Sequence, residues 1–468
     1  MDKYDLLVIG SGPAGEKAAV KAAYFGYKVA LVEKYSVYGG AGVNTGTLPS
    51  KTLKETALYL SGKYDKGLYG IDRDIEGETS IENFMFRKDY VIRTESDEVH
   101  QNLIRHKVDI FHGTASFVDE HTVHVEGAVT VDLKSDYILI ATGSYPFHPT
   151  NIPFDTKRVH DSDTILQLKR FPKSIAVLGA GVIGCEYATI FSTMGSKVYL
   201  INRGDQILPF IDQEIVGELV EMMRHDQIEL LFNRSVQELK VPESDETPIE
   251  VHLESGETLN VDMFLFAAGR NGSTKDLKLE NVGIQPTKRE TIEVNEQYQT
   301  SVPNIYAVGD VIGFPALAST SMDQGRVAVA HIFNTKDIEQ VAQVLPFGVY
   351  TVPEISSAGI TEEEAKEKGL AYCTGVAYHK NMPRGKIMGV ERGMLKLIFT
   401  KDDLVIRGVS IIGNLATELI HHGMSLIDNQ RTVVNVIGNV YNYPTLHELY
   451  KYAAYDGLGN LSGHKIKK

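Results

Sequence analysis

Cysteine is nearly missing from this chain of 468 residues, where only Cys185 and Cys373 occur. Two thiols so far apart exclude a disulfide-stapled scaffold, and neither belongs to a Cys-x-x-Cys pair, so a reducing cytoplasm is the expected compartment. No group of cysteines and histidines has the spacing of a structural zinc site, and no metal is expected. Long apolar runs are also missing. None reaches the length that crosses a bilayer, so membrane insertion is not expected. Leu6-Leu7-Val8-Ile9 passes at once into glycines, which makes it a first strand and not a secretion signal. Nor is there an excess of positive charge. The formal balance of −14 opposes nonspecific attraction to nucleic acid or anionic membranes, while leaving room for a local basic pocket for phosphates.

What remains is an ordinary globular composition, 43% hydrophobic and 23% charged. The length is too great for one compact core and implies about three domains. Residues 4–9 form a short apolar strand that runs into Gly10-Ser11-Gly12-Pro13-Ala14-Gly15. An alanine-rich helical stretch follows, then a second apolar run at 28–32 that ends in Glu33. This is a βαβ unit with a dinucleotide fingerprint. Gly10 permits the tight turn, Gly12 lets a pyrophosphate approach the backbone, and Gly15 allows the helix to pack on the strand. Glu33 can accept hydrogen bonds from an adenosine ribose.

The same grammar returns at 174–178, Gly179-Ala180-Gly181-Val182-Ile183-Gly184, a helical segment and the run 197–201. In this second unit Asn202 stands where an acidic residue would favour NAD and repel a 2′-phosphate, and Arg203 follows directly. Arg224 and Arg234 are further candidate cations. The exchange of acid for cation admits NADPH, and neutral Asn202 can still bond a free ribose hydroxyl, so use of both nucleotides is compatible with these residues. The alternative reading of Arg203 is a solvated surface cation. Further strands are expected at 137–141, 263–267 and 304–308, and the region from about residue 344 reads as a separate α+β domain, with strands at 394–399 and 405–412 and a helix at 415–427. Residues 241–248 and 465–468 read as a solvated turn and a tail.

These ordered motifs resemble the two-dinucleotide flavoproteins that include glutathione reductase and dihydrolipoamide dehydrogenase, and within that family they are most similar to the soluble pyridine nucleotide transhydrogenases. The resemblance implies an α/β fold with two Rossmann-like dinucleotide-binding domains and a C-terminal α+β dimerisation domain. It places FAD in the first site, NADP(H) and NAD(H) as substrates in the second, and two copies of the chain in a homodimer. The FAD domain is then discontinuous, 1–150 and 280–342, around an NAD(P) domain at 151–279, with 343–468 at the interface. Thr142-Gly143 resembles the linker out of the FAD domain, and Ala268-Gly269-Arg270 resembles the return crossing. Gly113-Thr114-Ala115 resembles an adenosine-contacting turn. Gly309-Asp310 matches the second FAD motif, whose aspartate holds the ribityl or pyrophosphate region.

Two departures from the disulfide-reducing relatives occur together. Those relatives carry a redox-active cysteine pair in a motif that here reads GGAGVNTGTLPSK, from Gly39 to Lys51, and by register the pair is replaced by Gly42 and Thr47. Neither residue exchanges a thiol. The relatives also end in a His-Pro-Thr-x-x-Glu motif that works as acid and base across the dimer. Here Tyr443 takes the histidine position and Glu448 keeps the glutamate position. Tyrosine, with an ordinary pKa of about 10, is a poor proton shuttle near neutrality. His447 reads more simply as a surface or interface residue than as a displaced base.

Lys51 survives, and the resemblance places it near the flavin, paired with Glu186 of the nucleotide domain. A hydride carrier needs neither thiol nor general base, because positioning is most of the work. The expected activity is FAD-dependent transfer of hydride from NADPH to NAD+ by a ping-pong route. The alternatives are an NAD(P)H dehydrogenase passing electrons to a quinone or other small acceptor, and a nucleotide-binding redox sensor or assembly subunit.

Overall fold

The computed structural model describes residues 3–63, 68 and 80–464, so the tail at 465–468 lies outside the described residues. The strand Lys3–Ile9 pairs in parallel with Val29–Glu33 on one side and with the second half of Val131–Ile140 on the other. Asp109–His112 extends this sheet beyond Val29–Glu33, and Ile305–Ala307 joins it from far along the chain by pairing with residues 138–140. Leu6, Leu7, Val8, Leu31 and Leu139 have no exposed surface. Such continuous apolar strands suit a parallel sheet covered on both faces. The first half of Val131–Ile140 turns away into an antiparallel meander with Thr122–Glu126 and Thr114–Asp119.

Pro13 opens the helix Pro13–Tyr24, where its fixed φ is favourable and its missing N–H costs nothing. Ala18, Ala19 and Ala22 are fully buried on one face of that helix. Their small side chains allow close approach to the helix Ala318–Phe333, where a side chain at Gly325 would collide with the Ala14 carbonyl. A long helix, Ile81–Arg105, is capped by the Ser80 hydroxyl accepting from the Asn83 amide at 3.2 Å. None of the described helices is long and apolar enough to cross a membrane.

A second parallel sheet has the order Glu229–Leu231, Lys197–Ile201, Ser174–Leu178, Met263–Phe266, Val159–Asp161. Its own antiparallel meander runs through Val236–Lys240, Ile249–Leu253 and Thr258–Val261. The chain crosses between the two parallel sheets twice. The outward crossing Ser144–Pro146 and the return Arg270–Gly272 pair antiparallel as a short ribbon. The C-terminal region is an antiparallel sheet of five strands, Phe347–Val349, Ile355–Gly359, Ile406–Ile412, Met394–Thr400 and Tyr372–Tyr378, backed by the helices Ala416–Asp428 and Glu448–Ser462.

Lys396 joins this last sheet to the second parallel-sheet unit. Its side chain is 1% exposed, and its ammonium lies 3.0 Å from Asp212, 3.0 Å from Glu214 and 2.6 Å from Glu362. Asp212 also caps the helix Gln213–His225 and accepts from the Glu362 amide at 3.1 Å. Burial alone would raise the Glu362 carboxyl, but hydrogen bonds from Lys396, Lys366 and Tyr372 hold it down at about 2. A carboxyl lowered on folding stabilises the fold above its ordinary pKa of 4.5. That contribution fades as the pH falls through about 2.

Replacing Lys396 by methionine strips buried Asp212 of its counter-charge. The expected result is a loss of about 3–5 kcal/mol in the docking of the C-terminal sheet, read as an earlier unfolding transition in denaturant at neutral pH. A shift worth less than about 1 kcal/mol would mean that the buried cluster contributes no more than a surface ion pair does.

Candidate active site

At the first fingerprint the chain leaves the strand Lys3–Ile9 through Gly10 at φ 104°, a conformation that glycine adopts without strain. A side chain at Gly10 would meet the Ala141 carbonyl, and one at Gly15 would collide with the carbonyl of Gly10. The fingerprint is therefore pressed against Ala141-Thr142-Gly143. The helix Pro13–Tyr24 starts at Gly12 with no side-chain cap, so its first N–H groups are left for a ligand. Beside it the Thr142 hydroxyl is buried without a partner.

Glu33 ends the neighbouring strand and accepts from the Ser11 amide at 2.9 Å, the Ser11 hydroxyl at 2.6 Å and the Tyr35 amide at 2.9 Å. The Gly113 amide donates to the Glu33 carbonyl at 3.0 Å, which brings the turn before Ala115 next to Glu33. The Ala115 methyl itself is buried in the core beneath the meander. Gly309 packs on Ala14, and Asp310 accepts from the Ser144 hydroxyl at 2.9 Å. These residues gather at the C-terminal ends of the strands of the first parallel sheet. The uncapped helix start, the orphaned Thr142 hydroxyl and the glycine cradle fit the pyrophosphate of a dinucleotide.

The second fingerprint repeats this geometry. Gly179 lies against Ala267 and Ala268, just before Gly269, and a side chain at Gly184 would collide with the Gly179 carbonyl. The helix Val182–Thr193 also begins without a side-chain cap, and the space beside Gly181 is open. Asn202 donates from its amide to the Gln206 carbonyl at 2.7 Å, which leaves its side-chain oxygen to accept. The three candidate cations separate here. Arg224 is bound to Glu221 at 2.8 Å and Arg234 to Glu257 at 2.7 Å. Arg203 is exposed and forms no hydrogen bond or ion pair among the described residues.

The segment Gly39 to Lys51 runs from the first cradle toward the second. Its start is pinned by the Gly39 amide donating to the Ser11 carbonyl at 3.2 Å, and Gly40 packs directly on Gly12. At Gly42 a Cβ would stand 2.7 Å from a ring carbon of Pro13, so there is little room for any side chain. Thr47 then opens the helix Thr47–Ser61, which carries Lys51.

The Lys51 ammonium lies 2.8 and 2.9 Å from the two carboxylate oxygens of Glu186, which projects from the helix Val182–Thr193. Glu186 is buried, at 3% side-chain exposure, while Lys51 keeps 23%. The carboxylate also accepts from the Ser50 hydroxyl at 3.2 Å and from the Tyr350 amide at 3.0 Å. The Tyr350 ring stands 4.9 Å from the Lys51 ammonium, and burial raises its phenol above the ordinary value. One helical turn on, Lys54 is buried against Glu354, whose carboxylate accepts from the Thr417 hydroxyl at 2.7 Å. Burial would lower the Lys54 ammonium, yet Glu354 keeps it above its usual range.

Cys185, beside Glu186, has no exposed surface, and burial pushes its thiol far up, which leaves it inert. Tyr443 is 73% exposed. Neither Tyr443 nor Glu448 bonds to Lys51 or Glu186 among the described residues of one chain, and one Glu448 oxygen is buried without a partner. His447 packs edge-on to His422 and beside Tyr441 and Tyr450, and burial lowers its imidazole.

The sequence reading missed a polar chain between the cradles. Arg270 donates to the Ser144 hydroxyl at 3.0 Å, to the Ser144 carbonyl at 2.9 Å and to Asp163 at 3.0 Å, and Ser144 in turn reaches Asp310. The clue available was an arginine directly after Gly269 at a crossing.

Comparison with known proteins agrees with this arrangement. The chain is 41% identical over 464 residues to a soluble pyridine nucleotide transhydrogenase of Mycobacterium bovis strain BCG, with 98% of each chain covered. It is 40% identical over 467 residues to the soluble pyridine nucleotide transhydrogenase of Azotobacter vinelandii, covering 98% and 99%. Among solved structures, the HOCl-induced flavoprotein disulfide reductase RclA from Escherichia coli superposes with a TM-score of 0.87 at 28% identity, covering 97% of this chain and 99% of that one. Residues 345–454 match the dimerisation domain of the pyridine nucleotide-disulphide oxidoreductases, and residues 4–325 match the body of the same family. The chain belongs to the pyridine nucleotide-disulphide oxidoreductase family.

Proposed function

We propose that this chain is an FAD-dependent transhydrogenase that moves hydride from NADPH to NAD+ by a ping-pong route. The observation that carries the reading is the Lys51–Glu186 pair standing between two dinucleotide cradles in a segment whose thiol positions are Gly42 and Thr47. The relatives named as soluble transhydrogenases support it over nearly the full length.

FAD, when bound, supplies the store that takes hydride from one nicotinamide and returns it to another. The chain's own residues position and polarise. Gly10, Gly12 and Gly15 with the helix start receive the FAD pyrophosphate, Glu33 and the turn at Ala115 the adenosine, and Thr142, Gly143, Gly309 and Asp310 the remainder. Gly179, Gly181, Gly184 and Gly269 frame the substrate nucleotide, with Asn202 and Arg203 at its ribose. Lys51 brings a fixed positive charge to the reacting end, where it stabilises negative charge that develops during transfer, and Glu186 holds the ammonium in place.

The same reading divides the chain into FAD-binding parts at 1–150 and 280–342, an NAD(P)-binding part at 151–279 and a dimerisation part at 343–468. The pairing of Ile305–Ala307 within the first sheet supports the return of the chain to the FAD-binding part. Exposed Tyr443 and the partnerless Glu448 oxygen fit a surface that a second copy completes, and the match of residues 345–454 to a dimerisation domain supports a homodimer; on this reading the homodimer works in the cytoplasm.

The test is to reduce the FAD-loaded protein anaerobically with stoichiometric NADPH, remove free nucleotide, and add NAD+. Reoxidation with matching NADH supports the reading. A flavin that stays reduced until a quinone is added would replace it with an acceptor reductase.

Two substitutions probe the roles. Lys51→Met removes the charge but keeps the length, and stopped-flow reduction by NADPH is expected to slow by about a hundredfold. An unchanged rate would remove Lys51 from the reaction. Asn202→Asp adds a negative charge at the ribose, and NADPH binding should weaken about tenfold relative to NADH in equilibrium titrations. A constant affinity ratio would mean that the 2′-phosphate lies elsewhere.

A further inference from the structure

Phe314 is 82% exposed, an unusual position for a phenylalanine in a loop. It is not isolated. Its ring stacks beside Phe347 at 6.0 Å between centroids with planes 21° apart, and Phe347 meets Phe210 at 5.8 Å.

The three rings come from three parts of the site. Phe210 lies in the loop that begins at Asn202 and Arg203, and this loop returns to the second fingerprint through the Leu208 amide, which donates to the Ala180 carbonyl at 3.2 Å. Phe347 lies in the strand just before Tyr350, whose amide binds Glu186 and whose ring faces Lys51. Phe314 follows Asp310 in the loop that leads to the helix Ala318–Phe333. Two of the loops are held by backbone that L-residues seldom adopt, Leu208 at φ 44° and Ala316 at φ 50°. The rings therefore form one aromatic rim, contributed by the segment that follows Asn202 and Arg203, the segment that follows Asp310 and the strand that leads into Tyr350.

We propose that this rim holds the oxidised nicotinamide ring as NAD+ enters or NADP+ leaves, and favours it over the reduced ring. The inference rests on the transhydrogenase reading for its substrates. Oxidised nicotinamide carries a positive charge on a planar ring, whereas the reduced ring is neutral. The π-face of an exposed phenylalanine attracts the cation and not its neutral counterpart, a preference of about two- to fivefold. A ping-pong enzyme must release one oxidised nucleotide and capture another through the same opening. A rim of this kind serves both steps without adding a charge that would hold the pyrophosphate away from its cradle.

The experiment titrates the FAD-loaded protein with NAD+ and, separately, with tetrahydro-NADH, whose ring is uncharged and has no hydride to give. Phe314→Leu keeps apolar bulk but removes the π-face, and it is expected to weaken NAD+ about two- to fivefold while leaving the analogue unchanged. Phe314→Trp should restore or tighten NAD+ binding. Equal weakening of both ligands, or a leucine variant that binds NAD+ like the parent, would overturn the proposal. So would dissociation of the dimer by Phe314→Leu in sedimentation, which would assign the rim to subunit contact. No turnover is needed, so a failure of NAD+ to reoxidise the flavin would count against the transhydrogenase reading alone.

Discussion

The Glu186 carboxylate takes hydrogen bonds from two segments that are far apart along the chain: the Lys51 ammonium and Ser50 hydroxyl on one helix, and the Tyr350 amide at the edge of the C-terminal sheet. Glu186 itself projects from the helix that opens the second nucleotide cradle. A carboxylate this deeply enclosed is costly unless its oxygens are satisfied, and withdrawing one charged partner typically costs about 3–5 kcal/mol. The three parts of the molecule are thus held in one relative placement by the need to neutralise a single group. That placement also sets the distance between the two dinucleotide cradles.

Other contacts stiffen the same arrangement. Lys54 repeats the device one turn along the helix, anchoring to Glu354 and through it to Thr417. Lys396 ties the C-terminal sheet to the cap of the helix that follows the second cradle. Arg270 and Ser144 link the two crossings to Asp310. Hydride transfer over a short gap depends steeply on position, so a scaffold that fixes its cradles by buried charge suits a reaction with no covalent step through the protein.

Much of this was legible in the sequence, for identifiable reasons. The fingerprints could be read because glycine is required where a side chain would collide with backbone, as at Gly15 and Gly184. The C-terminal strands also emerged close to their observed limits, Met394–Thr400 and Ile406–Ile412, because aliphatic and aromatic residues dominate both, with Lys396 the one charge in the first. Lys51 and Glu186 could be paired only through family register, since their 135-residue separation leaves no local signal.

Other features were hidden. Lys54 and Lys396 look like solvated lysines in sequence, and their burial depends on carboxylates brought by tertiary contacts. The choice among Arg203, Arg224 and Arg234 likewise waited on the structure, where Glu221 and Glu257 occupy the latter two. The aromatic rim had no periodicity at all, because its three rings come from three separate segments.

The central claim is that redox chemistry in this chain ends at the flavin, with no thiol couple behind it. The most direct measurement is an anaerobic reductive titration of the FAD-loaded protein, counting reducing equivalents per flavin. A single electron pair is the predicted uptake. Uptake of a second pair before free reductant accumulates would contradict the claim and place another redox couple beside Lys51.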